Sequence, residues 1–396
     1  MSRAEEVYHY SKSLERELSK LRTGLLGEVN SRTILEFHSQ LVAEGMSIAR
    51  RLKYLVTLRT IATLLGKPFS EVTKEDIIGF IGTIEQRDYS DWTKRDYKVL
   101  LKRFYKWFRR CDEGYPPEVK WIKVKDSFPN RLRKKDLLTV EEIEAIVKAA
   151  STLRDKALIW LYFESMRRLG EILNLNIGDV EFDELGARLR VDGKMGPDDG
   201  RVVFSAPMLA NWLEIHPLKD DPDAPLWIAL DSRKRNVRRF TYSAARAMFK
   251  ECAQKAGIRK RVWLYLVRHS RITPASKVLP HALLCATAGW KQGSRMPQVY
   301  IHLAGEDLDD AHRMLNGMKE ESRPDDAKVV PVGCRRCNTQ NVPGSRFCAR
   351  CGYPLSMEAA IQVDDARKKA DMLMNELIKR PEILDQMLHA VEAIKD

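Results

Sequence analysis

The sequence of 396 residues is long enough for two or three domains, each with its own core. Its formal net charge of +13 points to a polyanionic partner, nucleic acid first and an anionic membrane surface second. No apolar run approaches the roughly 20 residues that span a bilayer, and MSRAEEVYHY lacks the apolar core of a signal peptide, so a cytoplasmic protein with no membrane partner is expected.

Residues 1–112 read as helices only. TILEFHSQLV places apolar residues at 34, 35, 37, 41 and 42, a helical stripe. The next helix, with Leu52, Leu55, Leu58, Ala62 and Leu65, should stop at Gly66 and Pro68, and Thr73 should cap another. The last helix of the block, TKRDYKVLLKRFYKWFRR, has an apolar stripe of Tyr97, Leu100, Leu101, Phe104 and Trp107 or Phe108. Lys94, Arg95, Lys98, Lys102, Arg103, Lys106, Arg109 and Arg110 fill the remainder. Such a face is either solvated or tracks phosphates, and the overall charge favours the second.

Residues 113–138, with GYPPE and SFPNRLRKK, read as a basic linker. A second block, 139–317, opens on TVEE, a capping box with Thr139 as N-cap and Glu142 at N3. It runs as helix, helix, a short β region, then helices. ARLRV and RVVF flank DGKMGPDDG, the composition of a hairpin with a loop longer than two residues. A polar linker is expected at 318–332, a cysteine-bearing module at 333–355, and a helical tail at 356–396 with Met372, Leu373, Leu377 and Ile378 on one face and Pro381 interrupting. The fold class is therefore mainly α with a small antiparallel β region.

Cys111, Cys252 and Cys285 are isolated and read as reduced core residues. Cys334, Cys337, Cys348 and Cys351 instead form two C-x2-C pairs ten residues apart. Four thiolates at that spacing close a tetrahedral, structural Zn2+ site, with Gly344 and Gly352 easing the turns. So short a ribbon has little core, and the metal should supply much of its folding energy. Arg335, Arg336, Arg346 and Arg350 make it basic, which leaves DNA and protein contacts equally open.

Within the second block, Arg168 in SMRRLGEILNLNIGDV and Arg268 in WLYLVRHSRIT each adjoin an apolar segment that can hold them rigidly. Two guanidiniums can grip the non-bridging oxygens of one phosphate in forked hydrogen bonds, which Lys cannot imitate. Lys194 at the hairpin tip is a mobile proton donor, and Tyr300 in QVYIHLAG opens a short helix. Taken singly, each also fits a structural ion pair or a core tyrosine, and spacing alone does not decide.

Their order resembles the tyrosine recombinases, the phage-integrase and Xer-type family. RLGEILNL looks like the first-arginine box, LVRHSRIT like the second, and AGWKQGSRMPQVYIHL like the segment ending in the nucleophile. The resemblance covers about 137–317, and the N-terminal helices are similar to the family's core-binding, DNA-clamping domain. The GS-MP wording and the Trp look most like integrases of archaeal mobile elements.

The resemblance implies site-specific strand exchange on double-stranded DNA by a homotetramer, with integration or excision of a mobile element as its use. Tyr300 would attack the scissile phosphate to form a 3′-phosphotyrosine, Arg168 and Arg268 would stabilise the phosphorane, and Lys194 would protonate the departing 5′-oxygen. Trp290 would stand at the family's His/Trp position, and the step would require no metal. The other activities it admits are topoisomerase-like nicking and resealing, and a catalytically impaired DNA-binding relative.

The sequence departs from the family at three places. Tyr265 replaces the histidine of the second box and is no base near neutral pH, so reduced or pH-shifted turnover is expected. Met166 replaces a small glycine two residues before Arg168. Pro274 would be acceptable only in the first turn of its helix. His269, beside Arg268, is a candidate substitute, but neighbouring residues on a helix point in different directions, and the resemblance implies a buttressing histidine instead.

Overall fold

Helical spacing in the first block becomes helices whose apolar faces meet. The computed structural model describes residues 2–24, 26–125, 132–193, 196–230, 237–303, 312, 316 and 331–379. The chain divides into two units, Met1–Arg131 and Leu132–Asp396. The first contains α1 (Arg3–Tyr8), α2 (Tyr10–Arg22), α3 (Glu28–Ala43), α4 (Ile48–Leu65), α5 (Lys74–Gln86), α6 (Asp91–Phe108) and α7 (Pro117–Lys120). Gly66 closes α4 in the left-handed conformation, and Thr73 caps α5 with a reciprocal box to Asp76, as predicted.

Its core takes Ile34, Phe37 and Leu41 from α3, Leu55, Leu58 and Ile61 from α4, and Leu100, Leu101, Phe104 and Tyr105 from α6. Because α6 packs against α3, α4, α5 and α7, its buried sector is wider than one stripe. Tyr105 is inside, while Trp107 and Phe108 pack at the margin. The basic residues of α6 are largely used within the unit. Lys94 and Lys98 reach Glu85 at 3.7 and 2.6 Å, Arg103 pairs with Glu44, Arg109 meets Glu118 at 2.9 Å, and Lys102 donates to the Ile122 carbonyl at 3.1 Å. Neighbouring elements thus bring acceptors to much of this basic face, in partly exposed pairs that are individually weak.

The stretch expected as a linker from 113 is partly packed. Pro117 sits at the start of α7, where its missing N–H costs nothing, and Val119 and Ile122 then enter the core of the first unit. Leu137 and Leu138 are buried in the second unit, where the Leu138 N–H donates to Ser270 Oγ at 2.8 Å.

The second unit runs through α8 (Val140–Ala149), α9 (Leu153–Ser165), α10 (Leu169–Leu173), β1 (Val180–Asp183), β2 (Gly186–Gly193), β3 (Gly196–Val202), α11 (Ala206–Glu214), α12 (Tyr242–Lys255), α13 (Leu264–Val278), α14 (His281–Thr287) and α15 (Met296–Leu303). The predicted Thr139–Glu142 box opens α8. Helix α9 is buried over every residue from Ala157 to Ser165, and packs against α8, α11, α13 and β3.

The strands form an antiparallel sheet in the order β1-β2-β3. Two expectations fail here. The strand β1 was not foreseen, and the hairpin loop is short, because Gly193 pairs with Gly196 and Val191 with Asp198. The acids of GPDDG therefore lie on a strand rather than in a loop. Antiparallel sheets tolerate polar residues on an open face, and Asp198 has a partner described below.

Pro274 lies eleventh in the 15-residue α13, well beyond its first turn. The hydroxyls of Thr273 and Ser276 donate to the carbonyls of His269 and Thr273 at 2.9 and 2.7 Å, adding bonds around the one the proline cannot make. Cys252 and Cys285 are buried, as expected, whereas Cys111 is only half-buried after α6.

The C-terminal module pairs β4 (Val332–Gly333) with β5 (Gln340–Asn341) and is followed by α16 (Met357–Ile378). Met372 and Leu373 of α16 are exposed rather than packed; Pro381 lies outside the described residues. Among those residues no helix is long and apolar enough to cross a membrane.

Candidate active site and metal centre

Three polypeptide segments of the second unit converge on Tyr300. The first is the junction of α9 and α10. Met166 ends α9 at φ +53°, in the left-handed region, which is why a glycine would suit this position. Glu171 then holds Arg168 twice. One carboxylate oxygen accepts from the Arg168 backbone N–H at 2.9 Å, and the other from its guanidinium at 2.7 Å.

The second segment is α13. Its start is tied down by the Tyr162 hydroxyl, which donates to the Leu264 carbonyl at 2.7 Å. Arg268 is 1% exposed, and only its Nη2 has a hydrogen-bond partner, the Ala288 carbonyl at 2.8 Å. Nε and Nη1 are buried without partners. A buried guanidinium with two unmatched donors is costly unless an anion completes it. Burial pushes its pKa below the usual guanidinium value, and the Tyr300 phenol opposes that shift.

The third segment is the turn after α14. Gly289 lies at φ +63°, closing the helix so that consecutive carbonyls face the site. Ala288 O takes Arg268, and Gly289 O lies 3.4 Å from Arg168 Nη1. The two arginines predicted from sequence are thus brought to adjacent peptide groups. Trp290 follows, its ring 5.5 Å from that of Tyr300 and 5.4 Å from the Arg268 guanidinium carbon.

Tyr300 on α15 is 1% exposed and packs with Met166, Ile272, Leu284, Cys285, Ala288 and Trp290. Burial raises its pKa to about 12, although Arg268 favours the phenolate. Its hydroxyl lies 2.8 Å from Nδ1 of His269. Burial, with Arg268 beside it, lowers the His269 pKa to about 4, so the imidazole is neutral at ordinary pH and can accept the phenol's proton.

The sequence offered His269 as a substitute and set it aside for a buttress, because helix neighbours point apart; the contact itself was not foreseen. Adjacent residues on a helix do diverge, but Arg268 and His269 still border one site, because Tyr300 arrives from α15 between their directions. Tyr265, the residue at the expected histidine position, is 44% exposed and stands beside Arg168, with its ring 5.7 Å from that of His269. Lys194 lies outside the described residues; its chain neighbour Gly193 is at the site's edge, where a Cβ would be 3.6 Å from Glu171 Oε1.

The four predicted cysteines do come together. The sulfurs of Cys334, Cys337, Cys348 and Cys351 lie within 4.8 Å of one another, with Cys334–Cys351 and Cys337–Cys348 at 3.6 Å. Gly344 and Gly352 both take φ +69°, as the turns require. Asn341, unremarkable in the sequence, is fully buried and joins the two knuckles. Its Nδ2 donates to the carbonyls of Val332 and Thr339, and its Oδ1 accepts from the Ala349 N–H. Four cysteine sulfurs so grouped can fill every position of a tetrahedral metal site and leave none for a substrate.

Known families and proteins are similar to this chain. The model of the phage integrase family matches residues 136–306, and that of a zinc-ribbon domain matches 334–355. Tyrosine recombinase XerA of Pyrococcus horikoshii is 28% identical over 248 residues, 62% of this chain and 80% of the relative. XerA of Pyrococcus furiosus is 24% identical over 303 residues, 73% and 95% of the two chains. Among solved structures, the XerH site-specific recombinase bound to palindromic difH substrate aligns with a TM-score of 0.52 at 18% identity, covering 77% of this chain and 95% of that one. A lambda integrase dimer bound to a COC' core site aligns at 0.55 and 14%, covering 68% and 76%. With this ordered site inside the matched region, residues 136–306 are a phage integrase (tyrosine recombinase) domain, followed by a zinc-ribbon domain at 334–355.

Proposed function

We propose that the protein is a site-specific DNA recombinase that cuts and rejoins strands through a 3′-phosphotyrosine, and that it serves integration or excision of a mobile element. The observation that carries this reading is the Tyr300 hydroxyl, 2.8 Å from a neutral imidazole and beside a buried guanidinium with two unmatched donors.

His269 takes the proton as the phenol oxygen attacks phosphorus. Arg268 and Arg168 bind the non-bridging oxygens and stabilise the phosphorane charge. The bond from phosphorus to the 5′-oxygen breaks, and Lys194 gives that oxygen a proton. Trp290 walls the pocket, and its indole N–H supplies one further donor. Rejoining is the same sequence in reverse with a new 5′-hydroxyl, so the phosphodiester's energy is conserved.

The partner is double-stranded DNA, which the surplus of positive charge favours. A homotetramer on two duplexes is the assembly that strand exchange needs, and a lambda integrase tetramer bound to a Holliday junction has this fold at TM-score 0.53. The ribbon's metal is zinc. A Zn–S bond of about 2.3 Å places tetrahedral sulfurs about 3.8 Å apart, close to the 3.6 Å separations seen.

The test is incubation with a suicide duplex library in which cleaved strands cannot be rejoined. A covalent adduct that disappears in Tyr300→Phe is expected, and its absence with the wild-type protein on every sequence would sink the enzyme reading. Products with two exchanged junctions, rather than relaxed circles alone, distinguish recombination from nicking and resealing.

A further inference from the structure

The helix that follows the ribbon carries an apolar seam with nothing packed against it. Its start is anchored. Ser356 caps α16 by accepting from the Ala359 N–H, Ala359 is fully buried, and Arg346 Nη2 of the ribbon donates to Gln362 Oε1 at 2.7 Å. Beyond that anchor, residues 361–376 are all exposed. A helix of 22 residues is marginal in water by itself, and most helices are held by the packing of an apolar face.

Such a face is present. Val363, Ala366, Ala370, Leu373 and Leu377 follow one another at alternating spacings of three and four, the repeat of a two-helix coiled coil. Val363 is 46% and Leu373 63% exposed. Charges gather off the seam, where Lys368 meets Asp364 at 2.7 Å. Lys369 and Glu376, one heptad apart, border the seam along one flank. Both therefore face whatever covers it.

The order of large and small residues selects the occupant and its direction. Take a second copy of the helix, antiparallel and centred between Ala370 and Leu373. Leu373 then faces Ala370 of the partner subunit and Leu377 faces the partner's Ala366, so each leucine fills the space that an alanine leaves. The same register sets Lys369 opposite the partner's Glu376, twice by symmetry. A parallel pair would stack alanine on alanine and set Lys369 against a methionine, Met374. Sliding the antiparallel pair by one heptad would set Lys369 against its own copy. Packing and charge thus favour one register over its neighbours.

We propose that α16 is a self-association surface, pairing antiparallel with α16 of a second copy of this chain through Leu373 on Ala370 and Lys369 on Glu376. Four facing layers make a short seam, so the dimer depends on concentration and gains strength where protomers are already held together. The ribbon's part is to fix the base of the helix through Ala359 and Arg346, so that the seam stands clear of the module that carries it.

The experiment is sedimentation of full-length protein, purified with zinc and free of DNA, over a concentration series at about 0.1 M salt, where exposed charges still act over about 10 Å. Wild type should pass from monomer to dimer. Lys369→Glu and Glu376→Lys should each weaken the dimer about tenfold, because two attractive pairs become repulsive. An equal mixture of those two variants should recover wild-type association, since opposite charges then meet at both pairs. Leu373→Glu, at an exposed position, should leave only monomer while the ribbon stays resistant to protease.

A wild type that is monomeric at every concentration would overturn the inference. So would a dimer indifferent to Leu373→Glu, which would place the contact on another face. A mixture no stronger than its two components would also overturn it, because only the antiparallel register brings residue 369 to residue 376. No DNA is present, so failure here and failure of the strand-transfer reading, which the adduct assay reports, are told apart.

Discussion

Nδ1 of His269 lies 2.8 Å from the phenolic oxygen of Tyr300, thirty-one residues further along the chain. This contact puts a proton acceptor on the hydroxyl proposed to attack, although the expected histidine position is occupied by Tyr265. It follows that His269→Gln should slow adduct formation by about a hundredfold or more, the scale of a lost general base. Tyr265→Phe should cost about tenfold, the scale of one hydrogen bond to a charged group. Adduct rates on one suicide duplex compare them, and the reverse ranking would contradict the base role of His269.

The His269 pKa of about 4 has two pH consequences. Cleavage should show no rise through pH 6.5, where an ordinary histidine loses its proton, because the base is already neutral. For stability, the unfolded chain binds the proton near pH 6.5 and the folded chain only near 4. Its contribution is therefore complete above pH 6.5 and lost progressively as pH falls towards 4. Denaturant melts of wild type and His269→Gln between pH 4 and 7 should diverge in that window, and parallel curves would contradict it.

Replacing Met166 by the family's glycine sets two effects against each other. Relief of the left-handed conformation returns about 1–2 kcal/mol, but the buried methionine side chain is worth about 2–5 kcal/mol. Packing should win, so Met166→Gly lowers unfolding free energy by about 1–3 kcal/mol. A more stable variant in chemical denaturation would mean that backbone strain dominates.

The ribbon should hold about one zinc per chain by elemental analysis. Cys334→Ser or a strong chelator should open it to protease between residues 333 and 355 and leave the melting of the first unit unchanged. A metal-free ribbon that still resists protease would show that Asn341 and the short β4–β5 pair suffice.

Much of this was legible in the chain because the signals are local. The N-cap at Thr73, the capping box at Thr139, the glycine after Leu65 and the helical spacing of Ile34, Phe37 and Leu41 depend on neighbours within a few residues. The two C-x2-C pairs were readable for the same reason. The hairpin length was not, since the pairing of Gly193 with Gly196 is favoured by a partner for Asp198 thirty-one residues away, at Arg167.

By itself, the sequence determined which residue types the site would contain and in what order, including the two arginines and the tyrosine to which we assign the chemistry. Only the tertiary structure decided how they are used. The packing of α13 against α15 brought His269 to Tyr300, and the Gly289 turn placed Arg168 beside a carbonyl 121 residues away. Burial then moved the pKa values of the tyrosine and the histidine in opposite directions, because each resists becoming charged away from water. Desolvation is a property of the assembled core, and no single segment of the chain contains it.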